Sequence, residues 1–230
     1  MAARNYGQYS GLVSALELVG ERWALLIVRD LLVGPRRYSD LQLGLPRIPT
    51  NILSTRLKEL QAAGVIRRLP LPRGLAYGLT DYGKQLEEVV LALDRWGSQA
   101  LGEPSESDTV TSDSMTTTFR AAYRTEAAGS LPATTYEAHI NDIVLTLRVA
   151  PEGLTVTPGP AATPPDLAFT ASLGIHSVIA GETPPAMALA TGVVHVLSGE
   201  VDLLDRFVAT FHLAATAGPI SGERPLGRVV

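Results

Sequence analysis

The 230-residue sequence contains no cysteine, which excludes disulfides and every metal site built on thiolate ligands. It also lacks a long hydrophobic run. The longest uninterrupted apolar stretch, Trp23 to Val28, falls far short of the roughly 20 residues that a membrane-spanning helix needs, so no membrane insertion is expected. Met1 to Asn5 lead into no continuous apolar segment of the signal-peptide kind, and a cytoplasmic protein is the expectation. Catalytic signatures are missing too. His139, His176, His195 and His212 are widely separated with no HExxH spacing, and there is no GxSxG elbow, Walker motif or GxGxxG after a strand. No catalytic residue, metal site or cofactor is expected, and the chain does not read as an enzyme. Glu200, Asp202 and Asp205 sit where a helix dipole favours carboxylates, so capping accounts for them.

A net charge of −4 argues at first against a polyanionic partner, but the charge is unevenly spread. Residues 1–102 hold thirteen basic and nine acidic side chains, a balance of +4, whereas 103–230 hold six and fourteen, a balance of −8. The changeover falls in Gly102 to Ser114, GEPSESDTVTSDS, whose one bulky apolar residue is Val110. Such a segment cannot bury enough surface to offset its ordering entropy and reads as a linker. Two domains of opposite charge are expected, and a basic half hints at a polyanion.

In the basic half, Ala15, Leu16, Leu18 and Val19 recur at helical spacing before Gly20, and Trp23 to Val33 form a second helix stopped by Gly34-Pro35. Ser39 is a good N-cap for a short third helix carrying Leu41 and Leu45. From Thr50 to Ala63, Leu53, Leu57 and Leu60 fall at i, i+4 and i+7 and form one inward stripe. That phase turns Asn51, Thr55 and Lys58 outward, with Thr50, Ser54 and Arg56 toward the flanks. Next comes a hairpin around Pro70 to Gly74 with a cationic tip: Arg73, with Arg67 and Arg68 nearby. Thr80 then caps one long helix whose apolar face runs through Leu86, Val89, Val90, Leu93 and Trp96 to Leu101. Three helices followed by a two-stranded wing make the winged variant of helix-turn-helix. A symmetric dimer would cover its extra apolar faces. Arg36 and Arg37, before the third helix, are candidate phosphate contacts; Trp23 and Trp96 read as core or dimer-packing aromatics.

The segments ALELVGERWALLIVRDLLVGPRRYSDLQ (Ala15 to Gln42), IPTNILSTRLKELQAAGVIRR (Ile48 to Arg68) and YGLTDYGKQL (Tyr77 to Leu86) resemble the HxlR-type winged-helix transcription regulators over about residues 7–101. The resemblance implies a homodimer on double-stranded DNA, the helix from Thr50 in the major groove and the Arg73 loop as the wing. Its DNA-contact candidates are Arg36, Arg37, Thr50, Asn51, Ser54, Thr55, Arg56, Lys58 and Arg73. Several members of that family sense oxidants or electrophiles through a cysteine thirteen residues before the tryptophan equivalent to Trp23. Here that position is Ser10, which has no thiolate to react.

Beyond the linker the pattern alternates: Met115, Thr117, Phe119, Ala121 and Tyr123 suggest one strand, then come Tyr136 to Ile140, Ile143 to Val149, and Leu154 and Val156. A strand at Leu167 to Ala171 leads to Ser172, a helix with Ile175, Val178 and Ile179, a short helix at Ala186 to Ala190, and a strand at Val193 to Leu197. A last helix carries Leu204, Phe207, Val208 and Phe211. The expected architecture is two domains: a mainly α winged helix-turn-helix over 1–102, a linker over 103–114, and an α+β antiparallel-sheet domain with covering helices over 115–230. The run Asp166 to Phe211 resembles the C-terminal part of a sterol carrier protein type 2 domain, and the likeness covers about 115–213. It implies a small apolar or lipid-like ligand between sheet and helices. Leu145, Leu147, Phe169, Val178, Ile179, Phe207 and Phe211 are the candidate lining, although any two-layer core would bury the same residues. Two alternatives stay open: a ligand-free oligomerisation module, and a lipid carrier whose winged helix binds protein.

Overall fold

A computed structural model of the chain describes residues 6–102, 105, 108–129 and 132–213. The chain divides into two compact units, Met1–Val90 and Leu91–Val230. No described helix is long and apolar enough to cross a membrane.

In the first unit, α1 (Gly11–Val19), α2 (Ala24–Val33), α3 (Tyr38–Gly44) and α4 (Thr50–Ala62) precede an antiparallel hairpin of β1 (Ile66–Pro70) and β2 (Leu75–Leu79). The core is aliphatic. Ile27, Val28 and Leu41 from α2 and α3 are buried with Leu53, Leu57 and Leu60 of α4 and Ile66 of β1. Ser39 does not cap α3: Arg37 precedes the helix, and its backbone N–H donates to the Asp40 carboxylate at 2.8 Å. The long helix expected after Thr80 is two helices. Thr80 accepts from the Gly83 N–H at 3.1 Å and caps a single turn, α5 (Asp81–Lys84), before α6 (Glu87–Ser98) begins.

The second unit corrects two expectations. Residues 115–123 form no strand. Thr111 and Ser114 cap each other's backbone N–H groups, at 3.1 and 2.9 Å, and start α7 (Ser112–Ala122), which buries Met115, Phe119 and Ala122 at i, i+4 and i+7. Alternating apolar residues rich in β-branched threonine favour a strand locally, but the reciprocal cap and the helical stripe prevail. The expected linker, 103–114, therefore ends in a helix start, and four of its residues (103, 104, 106 and 107) lie outside the described residues, as do 214–230 of the expected C-terminal domain.

After the single turn α8 (Thr125–Ala128) come β3 (Thr134–Ile140), β4 (Ile143–Ala150), β5 (Gly153–Pro158) and β6 (Leu167–Ala171). Then follow α9 (Ile175–Ile179), α10 (Pro185–Ala190), β7 (Val194–Gly199) and α11 (Leu203–Thr210). The strand order is β5-β4-β3-β6-β7, and β3 pairs with β6 in parallel, so the sheet is mixed and not antiparallel throughout. The cause is the return path. Residues 159–166 run back across β4 and β3 without a helix. Gly159 N–H donates to Val144 O at 2.8 Å, Ala161 N–H to the Glu137 carboxylate at 2.7 Å, and Asp166 N–H to Thr135 O at 2.9 Å. The opposite face of β3, bearing Tyr136, Ala138 and Ile140, is fully buried in the core shared with α7, α9 and α11.

Glu137 thus pins the crossing segment. The Ala161 N–H, and next the hydrogen bond with His139 at 2.6 Å, hold its carboxyl below its ordinary value of 4.5. A depressed folded-state value means stability present above 4.5 and lost as pH falls through the lower folded value. Glu137→Gln is expected to lower the melting temperature near neutral pH, with the gap closing as pH falls well below 4.5. Thermal melts of both proteins across that range check it; a gap independent of pH contradicts it.

Candidate nucleic-acid interface

The buried Leu53–Leu57–Leu60 stripe sets the rotation of α4 and leaves Thr50, Asn51 and Lys58 exposed, with Ser54 and Thr55 half-buried. Thr55 Oγ1 donates to Asn51 O at 2.8 Å. The N-terminal end of α4 is tethered from α3: Tyr38 Oη donates to Thr50 O at 2.9 Å and lies 3.3 Å from Ser54 Oγ. Arg56 is already committed. Its guanidinium pairs with Glu21 at 2.9 Å and with Glu59, leaving the side chain 14% exposed as a clamp between α4 and the α1–α2 turn. Such a clamp is a structural link before it is a surface charge.

The wing gathers further cations. Leu71 N–H donates to Gly74 O at 3.1 Å and closes the tip, where Gly74 takes φ +91, a conformation that favours glycine. Arg73 is exposed there, and Arg67 and Arg68 are exposed along β1. Arg36 exchanges two backbone hydrogen bonds with Tyr77, at 3.0 and 2.7 Å, and so lies beside β2 like a short third strand. Arg37 Nη1 lies 3.7 Å from where a Cβ would stand on Gly74, which brings Arg37 to the wing tip. At the base of the hairpin, a hydrogen bond from Lys84, with its charge, holds the Asp81 carboxyl below its ordinary range.

Three residues of this surface were not among the sequence candidates. Tyr38 gave no local signal, because its contact is made across twelve residues of chain. Arg22 and Arg47, together with Arg56, surround Trp23, Pro49 and Ile52 in a concavity of about 340 Å³ beside the first turn of α4. Trp23 takes φ +80, which is uncommon for a residue with a side chain, and Arg22 stacks over its ring at 5.4 Å. Arg47 was legible, since it stands just before the expected helix start.

In the second unit, Leu145, Leu147, Phe169, Val178, Ile179, Phe207 and Phe211 are all 0% exposed and belong to one packed cluster. Phe207 meets Phe169, Tyr136 and Phe211 at centroid distances of 5.1, 5.2 and 4.8 Å. None of the seven lines the cavity of about 510 Å³ that this unit holds among α6, α7 and α9. Asp202 precedes α11 without a side-chain capping bond, and Asp205 stands in its first turn. Among the described residues no three His, Asp or Glu side chains gather in a group that could hold a metal.

A helical core whose last helix shows a polar face beside a two-stranded wing defines a winged helix-turn-helix protein. The profile of the family described as HxlR-like helix-turn-helix matches residues 18–105. The HTH-type transcriptional regulator YvaP of Bacillus subtilis is 36% identical over 88 residues, which are 37% of this chain and 82% of YvaP. Rv3095 of Mycobacterium tuberculosis, also an HTH-type transcriptional regulator, is 44% identical over 95 residues, and the alignment spans 58% of its length. Among solved structures, quinone-bound YodB from B. subtilis is 33% identical, covering 40% of this chain and 99% of that one, with a TM-score of 0.36. The chain belongs to the HxlR-like helix-turn-helix family, and the relatives that place it there are named as transcriptional regulators.

Tyr38→Phe removes the tether on α4 and is expected to cost about 0.5–1.5 kcal/mol, the net worth of an ordinary hydrogen bond. Urea denaturation of the two proteins measures it, and equal midpoints and slopes would contradict the tether's role.

Proposed function

We propose that this chain is a DNA-binding transcription regulator that works as a homodimer, with α4 in the major groove and the Arg73 wing on the flanking backbone. One observation carries this reading: α4 buries a single leucine stripe and shows Asn51 and Lys58 on the exposed side. Amides and hydroxyls suit base edges, and cations suit phosphates. Arg36, Arg37, Arg22 and Arg47 are placed to add phosphate contacts. The Arg56 clamp orients α4 and reaches a phosphate only by giving up part of its pairing. For the dimer, Leu12 and Leu16 of α1 and Val89 and Trp96 of α6 are exposed apolar side chains that a second copy would cover.

The second unit is proposed to bind a small, mainly apolar effector, in keeping with its resemblance to sterol carrier protein type 2 domains. With no thiol in the chain, reversible binding is the route by which a signal enters. The complete burial of all seven core candidates favours a second reading, in which this unit is a ligand-free oligomerisation module.

Binding to duplex DNA is tested by fluorescence anisotropy between roughly 50 and 200 mM salt, where affinity falls as a power of salt concentration set by the number of phosphates contacted. Arg73→Ala is expected to weaken binding on all sequences alike and to flatten the salt slope by about 0.9. Asn51→Ala is expected to cost about 1–3 kcal/mol on a preferred site and much less on random DNA. Salt-independent binding, or no binding at the lower salt, would contradict the proposal.

A further inference from the structure

The concavity beside the first turn of α4 joins apolar walls to cations. Trp23, Pro49 and Ile52 line a space of about 340 Å³ together with Arg22, Arg47 and Arg56. That volume lies at the small end of the range that holds small molecules, about 300–1,000 Å³. The three arginines are not equivalent. Glu21 and Glu59 already take the Arg56 guanidinium, so Arg56 contributes wall more than net charge. Arg22 and Arg47 are exposed, and among the described residues no carboxylate lines the concavity. Arg22 lies over the Trp23 ring at 5.4 Å, and a guanidinium that stacks through its face keeps the N–H fork at its edge for a carboxylate.

The indole is set in place by its backbone. Trp23 stands immediately before α2 with φ +80 and ψ −19, a left-handed conformation that persists in a residue with a side chain only where the surroundings hold it. Half-buried, it packs against the aliphatic core and also lines the concavity. Pro49 precedes α4, whose first turn holds no acidic side chain, so the positive end of the helix adds to the potential at this wall.

We propose that this concavity binds a planar aromatic carboxylate, and that its occupant competes with DNA for Arg22 and Arg47. A phosphate by itself would take the cations and leave the indole, proline and isoleucine walls uncovered. An aromatic amine would set its ammonium against Arg22 and Arg47 with no carboxylate on the wall to balance it. An uncharged aromatic would cover the apolar walls and make no use of the guanidinium fork. An aromatic carboxylate does both, with its ring against Trp23 and Ile52 and its two oxygens toward Arg22. The site stands without reference to DNA; the competition rests on the DNA-binding reading, in which the same two arginines meet phosphates.

The test titrates the full-length chain calorimetrically with 2-naphthoate, with the isosteric and uncharged 2-naphthamide, and with inorganic phosphate. Naphthoate is expected to bind at one site per chain, at least about tenfold tighter than either of the others, a gap of about 1.4 kcal/mol. Arg22→Gln, at an exposed position, is expected to bring naphthoate within about threefold of the amide. Trp23→Gly, in which glycine suits the φ of +80, is expected to weaken naphthoate at least about tenfold. In the presence of duplex DNA, naphthoate is expected to raise the apparent Kd for the duplex in proportion to its own concentration. Naphthoate bound no tighter than the amide or phosphate, no binding of naphthoate, or binding indifferent to Arg22→Gln would overturn the site. DNA affinity unchanged at saturating naphthoate would overturn the competition. A chain that takes naphthoate but ignores DNA overturns the regulator and supports the site, and a chain that binds DNA but not naphthoate does the reverse.

Discussion

The first unit depends on one constraint: α4 has a single apolar stripe, and Leu53, Leu57 and Leu60 can be buried together at only one rotation of the helix. Burying that stripe against α2, α3 and β1 decides which side chains remain in water. The polar face at Asn51 and Lys58 is therefore a consequence of core packing and needs no separate device to hold it. What burial leaves free is sliding and tilt, and polar links limit both. Tyr38 ties the first turn to α3, and Arg56 ties the middle of the helix to Glu21 in the α1–α2 turn. A helix that must present a few side chains to base edges requires that kind of positional control.

The second unit solves a different problem, that of closing a five-stranded sheet whose last two strands join on the far side of the first. The sheet's buried face is filled by interlocked aromatic rings, with Phe207 in contact with Phe119, Tyr136, Phe169 and Phe211. Its other face carries the crossing segment, fastened by Glu137 and Thr135. These rings pack the core beneath the sheet, and the cavity of about 510 Å³ lies off to one side, against α6, α7 and α9.

What was legible in the sequence was local or periodic. The α4 stripe, the wing turn and the strands β3 to β7 follow from spacings of three, four or two residues, and the structure keeps them within about two residues. Residues 115–123 were misread because Met115, Phe119 and Tyr123 satisfy both periods at once, and the deciding signal was the Thr111–Ser114 cap just outside the segment. The parallel pairing of β3 with β6 could not be read, because strand direction depends on the path of residues 159–166 across the sheet. Arg56 looked like an available cation because its partner, Glu21, lies 35 positions away. The cavity was hidden for the same reason, as its walls come from three separated stretches of chain.

Selection of a preferred site from a random DNA pool, followed by hydroxyl-radical footprinting, tests the central claim most directly, that α4 from two copies reads DNA together. The account predicts two protected segments related by a dyad, their centres one helical turn or a multiple of about 34–36 Å apart, with protection at the near segment edges extended by the wing. A single protected segment without symmetry, or uniform protection with no selected sequence, would contradict it.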